Sequence, residues 1–288
     1  MTVDLDMPGF FKDADTASLN GQRSYLRLNR IRLTSAVVGT AGGVVTLSDG
    51  RVDYSAIVAL AGFLVALVAE LVLSYLQPER DWYAGRAMAE SMKTMAWRYA
   101  VHGEPFTDGL SETELRGLLR SRVRQLTIKG ADRVAIGTDT PLVTASMLAL
   151  RRSDFEMRRS SYIEHRTAAQ RHWYAGKAVF NKRRAQFWRI VLVSAEILAV
   201  ALATLRITGR LQVDLAGVCG SVIAASAAWL VLKQHAQLAS AYNTTSRELA
   251  LQEDILIGTA EADWPRAVAD AEKAISREHT MWLAGHGG

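Results

Sequence analysis

Two acids stand where an acid is costly. Glu70 is the one charge in the run from Ser55 to Gln77, and Glu196 falls near the middle of the run between Arg189 and Arg206. A carboxyl group at membrane depth costs several kcal/mol unless it is paired, protonated or wetted. The chemistry open to both is therefore to line a water-filled path or to lock a closed state. The blander alternatives are that Glu70 snorkels to a nearby helix end and that Glu196 is a neutral acid bonded to a neighbouring helix. Groups for catalysis do not assemble. His165 and His172 share a helix side but lie seven residues apart, too far for one ion without outside ligands. Gly39-Thr-Ala-Gly-Gly43 lacks the lysine and hydroxyl of a phosphate cradle. No nucleophile elbow or carboxylate dyad occurs, so no catalytic residue, metal or cofactor is expected.

The elements that must position the two acids are four apolar stretches in two pairs, 33–48 with 54–76 and 190–205 with 215–232. A helix crossing a hydrocarbon core of about 30 Å needs roughly 20 mostly apolar residues. The run after Asp214 holds 18 uncharged residues and Ser55 to Gln77 holds 23, whereas Arg32 to Asp49 and Arg189 to Arg206 each enclose 16. Segment 57–76 carries twelve Leu, Ile, Val or Phe. At about −0.3 to −0.6 kcal/mol each they outweigh the roughly +3 of an acid such as Glu70. The first stretch, with Gly39, Gly42 and Gly43, is too weak to insert alone and is expected to enter as a hairpin with its neighbour.

This patterning predicts an all-α membrane protein with two transmembrane helical hairpins, four spans, and long cytosolic juxtamembrane helices. The averages hide it: 49% hydrophobic residues and a mean hydropathy of +0.05 mix membrane-grade segments with very polar arms. A soluble helical bundle is the competing reading, but 57–76 has no polar face to turn to water. Arg23, Arg27, Arg30 and Arg32 precede the first span and Lys177, Lys182, Arg183, Arg184 and Arg189 the third. The positive-inside rule then puts both termini and the 77–186 connector in the cytosol of a multi-pass inner-membrane protein. The acidic N-terminus shows no signal peptide. Cys219, the single cysteine, is expected to pack inside the fourth span.

Association between spans in lipid depends on close backbone approach, so small residues mark contact faces. Gly39 and Gly43, Gly62 and Ala66, Ala195 and Ala199, and Gly220 and Ala224 form such stripes at four-residue steps. They predict tight helix contacts, between chains as well as within one. Chance spacing in an alanine-rich composition is the alternative.

Outside the spans, Ser111 and Glu114 have capping-box spacing before Leu115, Leu118, Leu119 and Leu126. Thr140-Pro141, Asp154 and Asp263-Trp264-Pro265 each read as a helix start, with Pro78 as a kink. From 154 to 205 one unbroken helix of about 78 Å is expected. Trp173, Phe180 and Phe187, and likewise Tyr242, Leu249 and Leu256, recur at seven-residue steps and read as packing seams. Between 151 and 189 there are eleven Lys or Arg against three Asp or Glu, much of the formal charge of +5. Lys177, Lys182, Arg183 and Arg184 are expected to hold anionic headgroups. Nucleic-acid binding is not expected, since no recognised module appears. Boundaries are placed at 1–104 for a first module, 105–153 for a helical connector, 154–258 for a second module and 259–288 for a C-terminal helix.

One motif recurs: Trp82-Tyr83-Ala-Gly-Arg86-Ala and Trp173-Tyr174-Ala-Gly-Lys177-Ala, each with Trp-Arg fifteen residues on. With the arms FFKDADTASLNGQRSYLRLNRIRL and YIEHRTAAQRHWYAGKAVFNKRRAQFWR and the two hairpins, it resembles a tandem SLATT protein, of the SMODS and SLOG-associating two-transmembrane effector family. The likeness covers roughly residues 9 to 257. It implies an oligomeric effector of bacterial conflict systems that permeabilises the inner membrane when a partner sensing or making a nucleotide second messenger switches it on. It carries over no catalytic residues. The rival reading is a non-conducting anchor or scaffold that recruits a cytosolic enzyme. A transporter fits worse, because broken helices and intramembrane polar groups are scarce.

Overall fold

The computed structural model describes residues 2–44, 52–130, 134 and 141–284. The described residues form an all-helical chain: α1 Gly9–Gly42, α2 Tyr54–Leu76, α3 Pro78–Ala100, α4 Glu112–Gly130, α5 Ala145–Arg151, α6 Phe155–Tyr162, a π-helical turn Ile163–Ala168, α7 Ala169–Ile207, α8 Leu215–Lys233, α9 His235–Gly258 and α10 Trp264–Ala284. Three helical runs are long and apolar enough to cross a membrane, within Tyr54–Leu76, Phe155–Ile207 and Leu215–Gly258. The first apolar stretch is not among them. Its helix stops at Gly42, six residues before the expected end, and 45–48 lie outside the described residues.

Two compact units form. One, the polar unit, comprises Met1–Gln22, Glu79–Ala178 and Ser240–Gly288; the other, the hairpin unit, comprises Arg23–Pro78 and Val179–Ala239. The division runs through α1, α7 and α9, so chain order and compactness do not coincide.

In the hairpin unit, both outgoing helices start and stop by the same devices. Asp53 caps α2 by accepting from the Ser55 and Ala56 amides, and Asp214 caps α8 by accepting from the Gly217 amide. Such caps satisfy amides that a helix start leaves orphaned. Each helix then ends at a left-handed glutamine, Gln77 at φ 47° and Gln234 at φ 47°, whose amide donates back to Leu73 and Leu230 respectively. Pro78 therefore starts α3 rather than kinking a continuous helix, as a proline can whose missing amide would be an orphan anyway. Gln234 makes the same break with no proline after it.

In the polar unit, the capping box forms as read. The Ser111 amide and hydroxyl donate to Glu114 Oε2 at 2.8 and 2.6 Å, and the Glu114 amide returns to Ser111 Oγ at 3.4 Å. Asp154 accepts from the Met157 amide to open α6, and α10 begins at Trp264. The short α5 starts instead at Ala145 under a Thr144 cap; Thr140 lies outside the described residues. Leu115, Leu119 and Val123 bury one face of α4, in a core with Trp97, Tyr162 and Trp264 at its centre. The Trp97 and Trp264 rings each meet Tyr162 edge-on at 5.8 Å, and the Trp264 indole donates to the Val101 carbonyl at 2.8 Å.

Two sequence expectations are corrected here. The helix from 155 to 207 is not uniform, because the π turn at Ile163–Ala168 interrupts it, and its first half belongs to the polar unit, into which it packs one side. Trp173, Phe180 and Phe187 are exposed. The buried face of α7 lies one position later, through Tyr174, Ala178 and Asn181, because the aromatic period of seven marked the right turn of helix but the wrong side of it. The second stripe holds: Leu249 and Leu256 are fully buried and Tyr242 packs on Trp173 and Tyr174.

In the hairpin unit the most crowded described glycines lie where α1 meets α2. A Cβ on Gly62 would lie 2.6 Å from the Gly39 nitrogen, 2.7 Å from Gly39 Cα and 2.8 Å from the Ser35 carbonyl; one on Gly42 would lie 2.8 Å from the Ala59 nitrogen. Backbone atoms cannot yield as side chains do. Gly43, expected on this face, would meet nothing nearer than its own helix's Thr40 carbonyl at 3.6 Å. Gly62→Leu is therefore expected to force the pair apart and lower the unfolding free energy in detergent by about 1–3 kcal/mol. Gly43→Leu should leave the denaturation midpoint in place, and equal losses from the two would contradict this packing.

Candidate functional site: the paired hairpins and a buried ion-pair network

The apolar helices of the hairpin unit bury few of their side chains fully and expose many of the largest. Of α2 only Ser55, Gly62, Ala69 and Leu73 are buried, of α8 none, and of the most apolar part of α7 none. Leu60, Leu64, Leu67, Val68 and Leu71 of α2 and Ile190, Ile197 and Val200 of α7 are all exposed. Water-soluble monomers rarely expose contiguous apolar surface beyond a few hundred Å². These helices satisfy their own backbones and point hydrocarbon outward, which is what a lipid environment demands.

Glu70 is not alone on this surface. It pairs with Arg32 of α1, so the acid joins the two helices of the first hairpin. Its carboxylate remains about half exposed at the rim of that pair, with a relative side-chain exposure of 49%. Glu196 projects from exposed positions of α7, beside Ile197 and Val193, and no ion pair reaches it among the described residues. The small residues divide likewise. Gly39 and Gly62 are buried against each other, and Ala66, Ala195 and Ala199 are half-buried. Gly220 and Ala224 are exposed, with no neighbouring atom within 4 Å of a Cβ on Gly220. The buried-leaning side of α8 runs instead through Val218, Val222, Ala225 and Trp229.

The two copies of the Trp-Tyr-Ala-Gly motif do different work. In the first, the Trp82 and Tyr83 rings stack at 5.1 Å, and Gly85 lets α3 meet the α1 backbone, since a Cβ there would be 2.6 Å from the Ser18 nitrogen. The Ser18 hydroxyl donates to the Trp82 carbonyl at 3.2 Å. In the second, Trp173 and Tyr174 pack on Tyr242 while Gly176 faces open space.

The basic stretch 151–189 also splits. Arg151 donates to the Tyr99 and Phe106 carbonyls, and Arg158, Arg159 and Arg171 pair with Glu261, Glu156 and Glu253. Lys177, Lys182, Arg183 and Arg184 remain exposed. The exposed basic face is thus shorter than the sequence count suggests.

Sequence reasoning did not find the most buried charges in the polar unit. Arg166 on the π turn and Glu272 on α10 pair fork to fork: Nε donates to Oε1 at 2.9 Å and Nη2 to Oε2 at 2.7 Å, with side-chain exposures of 1% and 0%. The Tyr162 hydroxyl donates to Oε1 at 3.0 Å and the Thr94 hydroxyl to Oε2 at 2.8 Å, which completes the carboxylate's partners. Burial opposes the charge on Arg166, but the Glu272 carboxylate outweighs it and drives the guanidinium's pKa up. Burial and the same carboxylate push the Tyr162 phenol well above its usual range, keeping it a neutral donor. Arg166 Nη1 is buried with no hydrogen-bond partner among the described residues.

The π turn makes this geometry possible. Ser161 and Tyr162, then Arg166 and Thr167, are the buried positions, five residues apart. In an α-helix five residues overshoot a turn by about 140°; the wider π turn returns them to one side. Such turns are frequent at functional sites. The one sequence signal was that five-residue recurrence of polar and aromatic side chains.

Beside the network lies a cavity of about 610 Å³ lined by Thr94 and by three cations, Arg98, Arg122 and Lys273, with Ser91 and Gln125. No cluster of three or more His, Cys, Asp or Glu fit to hold a metal occurs among the described residues.

Comparison with known proteins divides the chain in two. Residues 8–159 match the family model described as SMODS and SLOG-associating 2TM effector domain 3, and residues 162–282 match the one described as SMODS and SLOG-associating 2TM effector domain 1. No curated protein and no solved structure matches. The junction falls immediately before the π turn, and Thr94 of the first domain donates to Glu272 of the second.

Removing Glu272 alone would leave a buried guanidinium without its counter-charge. Glu272→Ala is expected to cost about 3–5 kcal/mol in urea unfolding of the detergent-solubilised chain, and Arg166→Met with Glu272→Leu to recover most of that loss. A Glu272→Ala protein as stable as the parent would mean that the pair does not hold the unit together.

Proposed function

Because the chain belongs to the SMODS and SLOG-associating two-transmembrane (SLATT) effector family and carries two of its domains in tandem, we propose that it is an oligomeric inner-membrane effector of a bacterial conflict system that opens a pore or breaches the bilayer on a cytosolic signal. The family's effector domains are associated with such systems. Pore, oligomer and signal are our reading of this chain.

Glu196 carries the argument. An acid exposed among Val193, Ile197 and Val200 on a lipid-facing helix is expensive in a monomer. Association of copies around α7 would cover it or wet it. The outward Gly220, Ala224 and Ala228 of α8 supply a face on which helices from other copies can approach closely. The first apolar stretch serves as the fourth span by riding on α2 through Gly39 and Gly62. The exposed Lys182, Arg183 and Arg184 favour placing the termini and the polar unit in the cytosol. There the cavity of Arg98, Arg122 and Lys273 offers positive charge to a phosphate-bearing messenger, made or sensed by a partner protein. The Thr94 link between the two family domains gives a signal at that cavity something to disturb.

Dye-loaded liposomes of anionic lipid containing the purified chain test this reading. Leak is expected once a cyclic nucleotide or the activating partner is supplied, and Glu196→Gln is expected to change its rate at least tenfold while leaving insertion unaltered. Liposomes that stay sealed under every such addition would favour the anchor or scaffold instead.

A further inference from the structure

Within the hairpin unit, α1, α7, α8 and the start of α9 line an open cavity of about 710 Å³ that the proposed pore does not use. Its chemistry is divided. At one end stand Arg30 of α1, Arg184 of α7 and Lys233 at the last turn of α8; from there the walls are apolar, through Leu33, Val37 and Val222. The eight steps of α1 from Arg30 to Val38 give about 12 Å of wall.

The three cations have no carboxylate among them. No acid lines the cavity among the described residues. Arg32, two residues beyond Arg30, takes Glu70, and Arg206 takes Asp214. What the cations face instead is aromatic: the Arg30 guanidinium lies 5.3 Å and the Lys233 ammonium 5.7 Å from the centre of the Trp229 indole, and Arg184 lies 5.4 Å from the centre of the Phe180 ring. One indole holding two cations leaves their mutual repulsion uncompensated, so an anion placed among them would gain from all three. Beside them, His235 donates from Nδ1 to Asn181 Oδ1 at 2.7 Å, which fixes the end of the cavity.

We propose that this cavity binds one anionic phospholipid, its phosphate among Arg30, Arg184 and Lys233 and its acyl chain along the apolar walls. The proposal rests on reading the hairpin unit as membrane-embedded. A soluble anion would leave the apolar walls unfilled and an uncharged lipid would leave the cations unmatched; a phosphatidylglycerol-type lipid fits both ends. The site would tie the state of α1, α7 and α8 to the lipid composition around them.

Brominated phosphatidylglycerol and brominated phosphatidylcholine, titrated into the full chain in nonionic detergent, report binding by quenching tryptophan, since Trp188 and Trp229 line the cavity. Saturable quenching by the anionic lipid, at least tenfold tighter than by the zwitterionic one, is expected. Each basic residue near anionic lipid contributes about a fivefold change in affinity, so Arg30→Gln with Lys233→Gln is expected to weaken binding about 25-fold. Should that double variant fail to fold by circular dichroism, Arg184→Gln, at an exposed position, is expected to weaken it about fivefold. Equal quenching by the two lipids, affinity unchanged in the folded variants, or full displacement by millimolar inorganic phosphate would overturn the proposal. Because the readout is binding rather than leak, a chain that selects the anionic lipid yet never leaks keeps this inference and loses the pore.

Discussion

Hydrocarbon that covers most of a helix's outer surface has to be met by something other than water, and that constraint organises the rest of the molecule. It accounts for the way α2 and α8 are capped at Asp53 and Asp214 and closed at Gln77 and Gln234, since each backbone must be satisfied within its own helix. It accounts for the glycines at the α1–α2 contact, because helices in lipid gain no hydrophobic drive from meeting and must approach closely to attract. It also makes Glu196 conspicuous. In water an exposed glutamate on a helix would call for no explanation.

The polar unit obeys the opposite rule. There the apolar side chains turn inward around Trp97, Tyr162 and Trp264, and the charges that remain inside are paired and hydrogen-bonded. Buried ion pairs are weak contributors to net stability but severe when broken, because the survivor is left in low dielectric. The Arg166–Glu272 pair therefore fixes which face of α10 meets the π turn more than it adds stability. Thr94 brings the first family domain into that arrangement, so the two domains share a polar centre as well as a core.

Much of this was legible in the residues. The three long apolar helices, the Ser111–Glu114 box, the Asp154 cap, the start at Trp264 and the Leu249–Leu256 stripe all follow from local spacing, where one turn of helix decides the outcome. What escaped depended on distance along the chain or on which side of a helix turns inward, where one residue is about 100°. Arg166 and Glu272 are 106 residues apart, and each alone reads as a solvated charge. Trp173, Phe180 and Phe187 keep a perfect period on the exposed side of α7, because periodicity gives a stripe and not the partner it faces. The motif shared by Trp82 and Trp173 suggested equivalent positions, yet Gly85 is pressed against α1 and Gly176 is open. The deeper likeness between the hairpins, an aspartate start and a left-handed glutamine stop, lies in backbone angles that no residue pattern announced.

The claim on which the account turns is that lipid surrounds α2, α7 and α8. Washing membranes of expressing cells with alkaline carbonate tests it directly, since the treatment strips proteins held by charge or by partners and leaves those embedded in the bilayer. The account predicts that the chain stays with the vesicles. Recovery of the folded chain in the supernatant would contradict it.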